Sequence, residues 1–315
     1  MGPQGYDLNH ESFTEDVAKE FADNLRSALS NPIRLYGHRT ETMFGYVAAA
    51  LGNCLLVRRE DTGQTFALTA GTHTPDMKLV LRDGRRILVE VKNVKMRDFD
   101  ATCTHKTAYV EGLRRYASLT GCEFMLAVYW HGPNLWSLVL PEAFEIRGQK
   151  MTLTFKESML CNRMAILGDF LLGAVPPLRC RAAVSREPNG STSITIEKVF
   201  AGGEEIKVEA EKKIAWMIMM HGSWEEAEAS QIFEEGRQVG VDFSVEPHEW
   251  VKAQGFAFAG AVSSIVSSQF RQMTSVGTRV HSLSPPSDPE DLAVGVSTEY
   301  EGEELKLWRI IQHVD

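Results

Sequence analysis

The sequence lacks the marks of several large protein classes. Its five cysteines, Cys54, Cys103, Cys122, Cys161 and Cys180, are scattered and form no C-x-x-C pair. A disulfide framework, a zinc ribbon and a clustered iron–sulfur site are therefore not expected, and a reducing cytoplasm is. No apolar run outlasts Ile214–Met220, far short of the ~20 residues that a spanning helix requires. No basic stretch leads into an apolar one at the start of the chain, so a secretory leader is not expected either. G-x-x-x-x-G-K-[ST], H-E-x-x-H and G-x-S-x-G are absent, as is a G-x-G-x-x-G following a strand. Without a phosphate-binding loop, any ATP-driven movement must come from a partner such as a helicase or another ATPase.

What is present is an average-looking soluble chain. Its 315 residues are 43% apolar and 24% charged, which excludes disordered and fibrous classes. The net charge of −9 speaks against a nucleic-acid partner when taken whole. Divided along the chain it reads differently. Residues 34–115 carry 14 basic and 9 acidic side chains, whereas residues 116–315 carry 17 and 27. The basic block also holds the residues with the clearest chemistry.

Periodicity predicts a helix through Val17, Phe21, Leu25 and Leu29, and another from about Arg39 to Gly52. Extended stretches follow at Cys54–Arg58, Met77–Arg82 and Arg86–Lys92. The last two flank Asp83-Gly84, a strong hairpin signal. A helix over 104–119 leads to strands at Phe124–Trp130 and Leu135–Leu140, then a helical extension to residue 174. The order describes an α/β sandwich around a mixed sheet. Pro176-Pro177 marks a boundary. Beyond it come a hairpin around Pro188-Asn189-Gly190 and helices near 211–220, 224–239 and 248–272. The 224–239 helix is expected from the capping-box pattern Ser223-x-x-Glu226. A final hairpin is expected at Glu301-Gly302. Trp216, Trp224 and Trp250 are expected to pack within this second part.

Pro75-Asp76 and Glu90-Val91-Lys92 carry the chemistry. Glu90 and Lys92 are two apart on a strand and so share a face, while Val91 turns inward and offers its carbonyl. Two converging carboxylates suit a hard divalent cation, and a lysine beside them can orient water and offset charge on a phosphorane. Register tests the idea. A two-residue Asp83-Gly84 turn would put Asp76 opposite Val91, on the wrong face. A three-residue loop, Asp83-Gly84-Arg85, would put it opposite Lys92, on the face of Glu90.

Asp, a hairpin and then Glu-x-Lys resembles the PD-(D/E)xK nuclease superfamily over about residues 34–145. The resemblance implies a restriction-endonuclease-like mixed central sheet flanked by helices, followed here by a second α+β domain. It implies a metal held by Asp76, Glu90 and the Val91 carbonyl, Lys92 at the attacking water, and Glu41 on the preceding helix as a further acid. The family's polar residue and tyrosine four later match His105-x-x-x-Tyr109. With Lys106, Arg85 and Arg86, these form the expected substrate contacts. Mg²⁺ is the implied cofactor, with Mn²⁺ an alternative, and DNA the implied substrate, cut to 5′-phosphate and 3′-hydroxyl ends.

The expected organisation is a helical arm (1–33), a nuclease domain (34–174) and an α+β domain (175–315). The last carries 13 basic and 22 acidic residues. That balance repels phosphate, so a protein partner, a sensor or a second copy of the chain is expected there. The small-residue stretch Phe256–Ser268 is its expected contact. Restriction or antiphage defence is the expected setting. A non-catalytic subunit on the same scaffold, RNA cleavage, and repair or recombination are the alternatives.

Overall fold

The computed structural model describes residues 19, 23, 32–60, 69–186, 192–247, 254–277 and 279–313. The helix expected through Val17, Phe21, Leu25 and Leu29, the Pro188-Asn189-Gly190 turn and Trp250 lie outside the described residues.

The first helix, α1 (Pro32–Ala50), starts earlier than its apolar periodicity indicates and gives way at Gly52, whose φ of +81° only glycine adopts freely. It is followed by β1 (Cys54–Arg59), β2 (Met77–Leu81), β3 (Arg86–Val94), β4 (Thr102–Lys106), α2 (Thr107–Leu119), β5 (Glu123–Trp130) and β6 (Leu135–Val139). Strands β1-β2-β3-β5-β6 form one sheet in that order. It is antiparallel except between β3 and β5, which run parallel on either side of the α2 crossover.

The two faces of this sheet are buried against different partners. Ile87, Val89 and Val91 of β3 join Met43, Phe44 and Val47 of α1 in one core. Leu88 joins Val110 and Leu113 of α2 and Leu126 and Val128 of β5 in a second. The strand is thus apolar on both sides over most of its length, as a central strand with a parallel neighbour should be.

Residues 104–106, expected to open a helix, extend β4 instead. That strand pairs with β8 (Lys150–Thr154), which pairs with β7 (Glu145–Arg147). The stretch after β6, expected to be helical throughout, is instead a mixture of short helices and the strands β7 and β8. The helices are α3 (Phe155–Leu160) and two of a single turn, α3 opening on a Thr154–Glu157 capping box.

The remaining elements are β9 (Leu171–Ala174), β10 (Leu178–Arg186), β11 (Thr192–Ala201), β12 (Glu204–Ile206), α4 (Glu209–His221), β13 (Glu226–Glu234), β14 (Arg237–Glu246), β15 (Ala257–Ala261), α5 (Val262–Thr274), the short pair β16 (Ser275–Val276) and β17 (Arg279–Val280), and β18 (Leu307–Ile310). A second five-stranded sheet has the order β12-β11-β10-β14-β13. The helix expected over 224–239 is therefore the β13–β14 hairpin. Glu235 (φ +48°) and Gly236 (φ +75°) supply two consecutive left-handed residues at its turn. The hairpin expected at Glu301-Gly302 does not form, and β18 pairs with β9 instead.

Strand β9 lies between β15 and β18, so the sheet it centres straddles the expected boundary at 174/175. The core under α1 also continues through Phe170, Leu172, Ile218, Ile265 and Phe270. The small-residue stretch expected to face a partner is likewise turned inward. Ala257, Ala259, Ser263, Ile265 and Ser267 are buried. Ser267 Oγ accepts from Trp136 Nε1 at 2.9 Å, and Ser264 O accepts from Asn134 Nδ2 at 2.9 Å. Small side chains let α5 approach β6 and α1 of its own chain, whereas Phe258 of β15 stays exposed beside Phe256, whose ring also packs on the exposed Trp308 of β18. Among the described residues, no helix is long and apolar enough to cross a membrane.

Candidate active site

The β2–β3 hairpin fixes the site by its register. Leu81 N–H donates to Arg85 O at 2.9 Å, Gly84 N–H returns to Leu81 O at 3.0 Å, and Val80 pairs with Arg86. The loop is three residues, Arg82-Asp83-Gly84, one earlier than the expected Asp83-Gly84-Arg85, with Gly84 left-handed at φ +88°. Met77 pairs with Val89, so the next step of the ladder sets Asp76 against Glu90. The parity that the chemistry needs is kept, and the partner is Glu90 rather than Lys92.

Asp76 Oδ2 accepts the Val91 N–H at 2.7 Å, which ties the carboxyl group to β3. Glu90 is 1% exposed although it carries a carboxylate. Its Oε1 accepts from Lys92 Nζ at 2.6 Å and from the Tyr109 hydroxyl at 2.8 Å. Its Oε2 is buried with no hydrogen-bond partner. The Lys92 ammonium also lies 5.7 Å from the centre of the Tyr109 ring, a cation–π distance.

Electrostatics follow from this crowding. Burial, then Glu90, raise the Asp76 carboxyl well above its ordinary value. The Val91 N–H works against that rise, Glu41 adds to it, and Lys92 offsets part of it. Burial pulls the Lys92 ammonium down, but Glu90, both as a charge and as a hydrogen-bond acceptor, and Asp76 outweigh it and leave its pKa raised. Lys92 therefore stands as a cation beside Glu90 and Asp76.

Glu41 lies on α1 within electrostatic range of Asp76. Its Oε2 accepts from Arg59 Nη2 at 2.5 Å and lies 3.4 Å from His38 Nδ1. Arg59 is the neighbour that sequence reasoning missed. The signal available was the Arg58-Arg59 pair closing a strand that ends beside Asp76. Tyr109 sits in the first turn of α2, where its hydroxyl reaches Glu90, and its ring stacks at 5.0 Å on His73.

His105 and Lys106 are on β4, not on the helix of Tyr109. His105 is buried, 3.3 Å from Cys103 Sγ and edge-on to Phe144. Burial, then Lys92, lower its pKa to about 4, so at neutral pH it is an uncharged imidazole packed under the site rather than a phosphate contact. Lys106 is exposed at the start of α2. Arg85 bonds Asp83 in the loop, at 2.8 Å from Nε, and Arg86 is exposed at the first position of β3. Both are at the far end of the strand from Glu90, on the order of 13 Å away for Arg86, and the fold does not bring them to the site. Val91 is buried in the core under α1.

The donor set is compatible with a hard cation. Among the described residues, no three or more His, Cys, Asp or Glu side chains gather as a ready-made metal cage. An ion would rest on Asp76 and Glu90, completed by backbone oxygen, water or phosphate, which is how Mg²⁺ is commonly held. The unpartnered Glu90 Oε2 is the observation that fits it. A buried acceptor without a donor is costly, and a cation would satisfy it.

No family model matches the chain, and no curated protein is similar to it. Among solved structures, a Holliday junction resolvase from the hyperthermophilic archaeon Archaeoglobus fulgidus is similar over 33% of this chain and 80% of its own, at 15% identity and a TM-score of 0.26. At that TM-score the likeness carries no argument below.

Proposed function

We propose that this chain is a Mg²⁺-dependent endonuclease of the PD-(D/E)xK type that hydrolyses phosphodiester bonds in DNA, with restriction or antiphage defence as its setting. The observation that carries the reading is Glu90. It is a buried carboxylate opposite Asp76, bonded through one oxygen to Lys92 and Tyr109 and unpartnered at the other. A merely structural glutamate would not be expected to leave an oxygen unmatched beside a second acid. The mixed β1-β2-β3-β5-β6 sheet, with its single parallel pair across α2 and helices on both faces, supports the reading at the level of a mixed α/β fold.

Asp76 and Glu90 would hold the metal, and when bound it would neutralise the phosphate and acidify a water. The protein's own part follows from the contacts. The Val91 N–H fixes Asp76. Tyr109 fixes the Glu90 carboxylate from the helix side. Lys92, a cation by virtue of its two acidic neighbours, is suited to orient the water and oppose charge building on the phosphorane, not to take a proton. Glu41 is suited to assist a second metal once Arg59 releases it.

The test is incubation of the purified protein with plasmid and with RNA, in Mg²⁺ and in EDTA, beside the Glu90→Gln variant. Cleavage of DNA in Mg²⁺ alone, absent in the variant, is expected. Cleavage of RNA only would change the substrate, and no cleavage of either would favour a non-catalytic scaffold.

A further inference from the structure

Three cations and a histidine gather at the end of the main sheet that carries Asp76 and Lys92, where β2 begins and β3 and β5 end. Lys95 follows β3 and His131 follows β5, and the His131 N–H donates to Val94 O at 3.0 Å. Arg39 comes from α1. Its Nη2 donates to Thr274 Oγ1 at 2.6 Å and Ser275 Oγ at 2.8 Å, and its guanidinium lies 5.6 Å from the centre of the Phe270 ring. Thr274 gives its own proton to Phe270 O at 2.6 Å, so its oxygen can only accept from Arg39. Arg271 comes from α5 and lies within electrostatic range of Tyr129, Arg39 and His131.

These groups face one another without an acid between them. Burial, then Arg271, lower the Arg39 pKa, and burial followed by Arg271, Arg39 and Lys95 lowers that of His131. Among the described residues, none of the four enters an ion pair. Hydroxyls and an aromatic ring hold two guanidiniums in mutual repulsion, an arrangement that an anion would relieve.

We propose that Arg39, Arg271, His131 and Lys95 form a cradle for a backbone phosphate of the nucleic acid, where it passes over the end of the sheet that carries the candidate site. The proposal rests on the nuclease reading and adds to it that the acidic C-terminal half supplies Arg271 to the substrate track. Lys95 is three residues past Lys92, on the order of 10 Å along an extended chain, so the two point to opposite faces, and the cradle lies on the α1–α5 side of the sheet end, across it from Glu90 and Tyr109.

The experiment is fluorescence anisotropy of a labelled DNA duplex in EDTA across a KCl series, with thermal melting of each variant. Arg271→Gln and Lys95→Gln are each expected to lower the slope of log K against log salt by about 1 and to weaken binding roughly 5–10-fold, whatever the duplex sequence. Arg271→Lys should keep the slope, and Arg237→Gln, at the β13–β14 turn, should change nothing. Wild-type slopes in both glutamine variants, with DNA still bound and cut, would overturn the cradle and leave the nuclease reading standing. A wild-type protein that binds no duplex at low salt would overturn both. Tighter binding of polyglutamate than of duplex at equal salt would overturn it in favour of an acidic protein partner.

Discussion

Replacing Glu90 with glutamine should make the metal-free protein more stable while abolishing cleavage. Glu90 is 1% exposed and has one buried oxygen without a partner. Such an unmatched buried acceptor costs about 1–3 kcal/mol, and the facing Asp76 carboxylate adds repulsion. The amide keeps an oxygen for Lys92 and Tyr109 and offers Asp76 an N–H₂ in place of a charge. What is lost is an ion pair to Lys92, whose side chain is 36% exposed and can return to water, a loss of about 1 kcal/mol or less. The balance favours the variant by about 1 kcal/mol, a rise in Tm of roughly 2–4 °C. Magnesium should reverse the order. If the wild-type site binds with a Kd on the order of 1 mM, 10 mM Mg²⁺ adds about 1.4 kcal/mol, and the glutamine variant should gain almost none of it. Scanning calorimetry in EDTA and in a Mg²⁺ series, with plasmid cleavage alongside, measures both. A variant that melts below wild type in EDTA and rises equally with Mg²⁺ would refute the reasoning and make Glu90 a structural ion-pair partner.

Lys92→Ala should retain the Mg²⁺-dependent rise in Tm and lose cleavage by at least 100-fold, because the ammonium acts on the water and the phosphorane; titration calorimetry and rates separate the two. Asp169 is buried and accepts from Ser263 N–H at 2.9 Å, Ser263 Oγ at 2.6 Å and Phe170 N–H at 3.1 Å, and burial raises its pKa from 3.8 to about 6. The native state then holds that proton more tightly than the unfolded chain, so this group's contribution falls as pH rises from about 4 to about 6. Asp169→Asn should remove that fall, on the order of 3 kcal/mol, when urea melts of the two proteins are compared across pH 4–7; parallel profiles would refute it. Gly84→Ala should cost about 1–2 kcal/mol in a urea melt, since φ is +88° while the space around a Cβ is open.

The parts of the fold closest to the chemistry were the most legible. Met77–Leu81 alternates and Arg86–Val94 opens on a continuous apolar run, on either side of Asp-Gly, and the one-residue error in the loop did not change which face Asp76 shares with Glu90. The helix–strand crossover was legible because Tyr109, Leu113 and Tyr116 repeat at helical spacing before a continuous apolar strand, although the face that is buried is that of Val110, Leu113 and Ala117. Other segments carried competing local signals. Ser223-x-x-Glu226 has the residues of a capping box, yet the left-handed Glu235 and Gly236 close a hairpin there. His105 sits four residues before Tyr109, as a helical pair would, but pairing of 102–106 with β8 overrides that spacing. Arg271 was hidden for another reason. A charge sum over 175–315 is acidic, and no sum records that α5 carries one arginine to Arg39 across the whole fold.

The position of β9 bears on how the chain acquires its shape. This strand is central in its sheet, but one neighbour, β15, spans 257–261 and the other, β18, spans 307–310. At roughly 5–20 residues per second, the ribosome reaches the second neighbour ~7–27 s after finishing β9. For that interval Leu172 and Ala174, both fully buried in the finished protein, have at least one unpaired edge beside them. Pairings this distant in sequence also form slowly once the segments exist. Synthesis thus has a vulnerable window in which a chaperone would find its substrate, and mutations that weaken β18 should reduce yield more than they reduce the stability of the molecules that do mature.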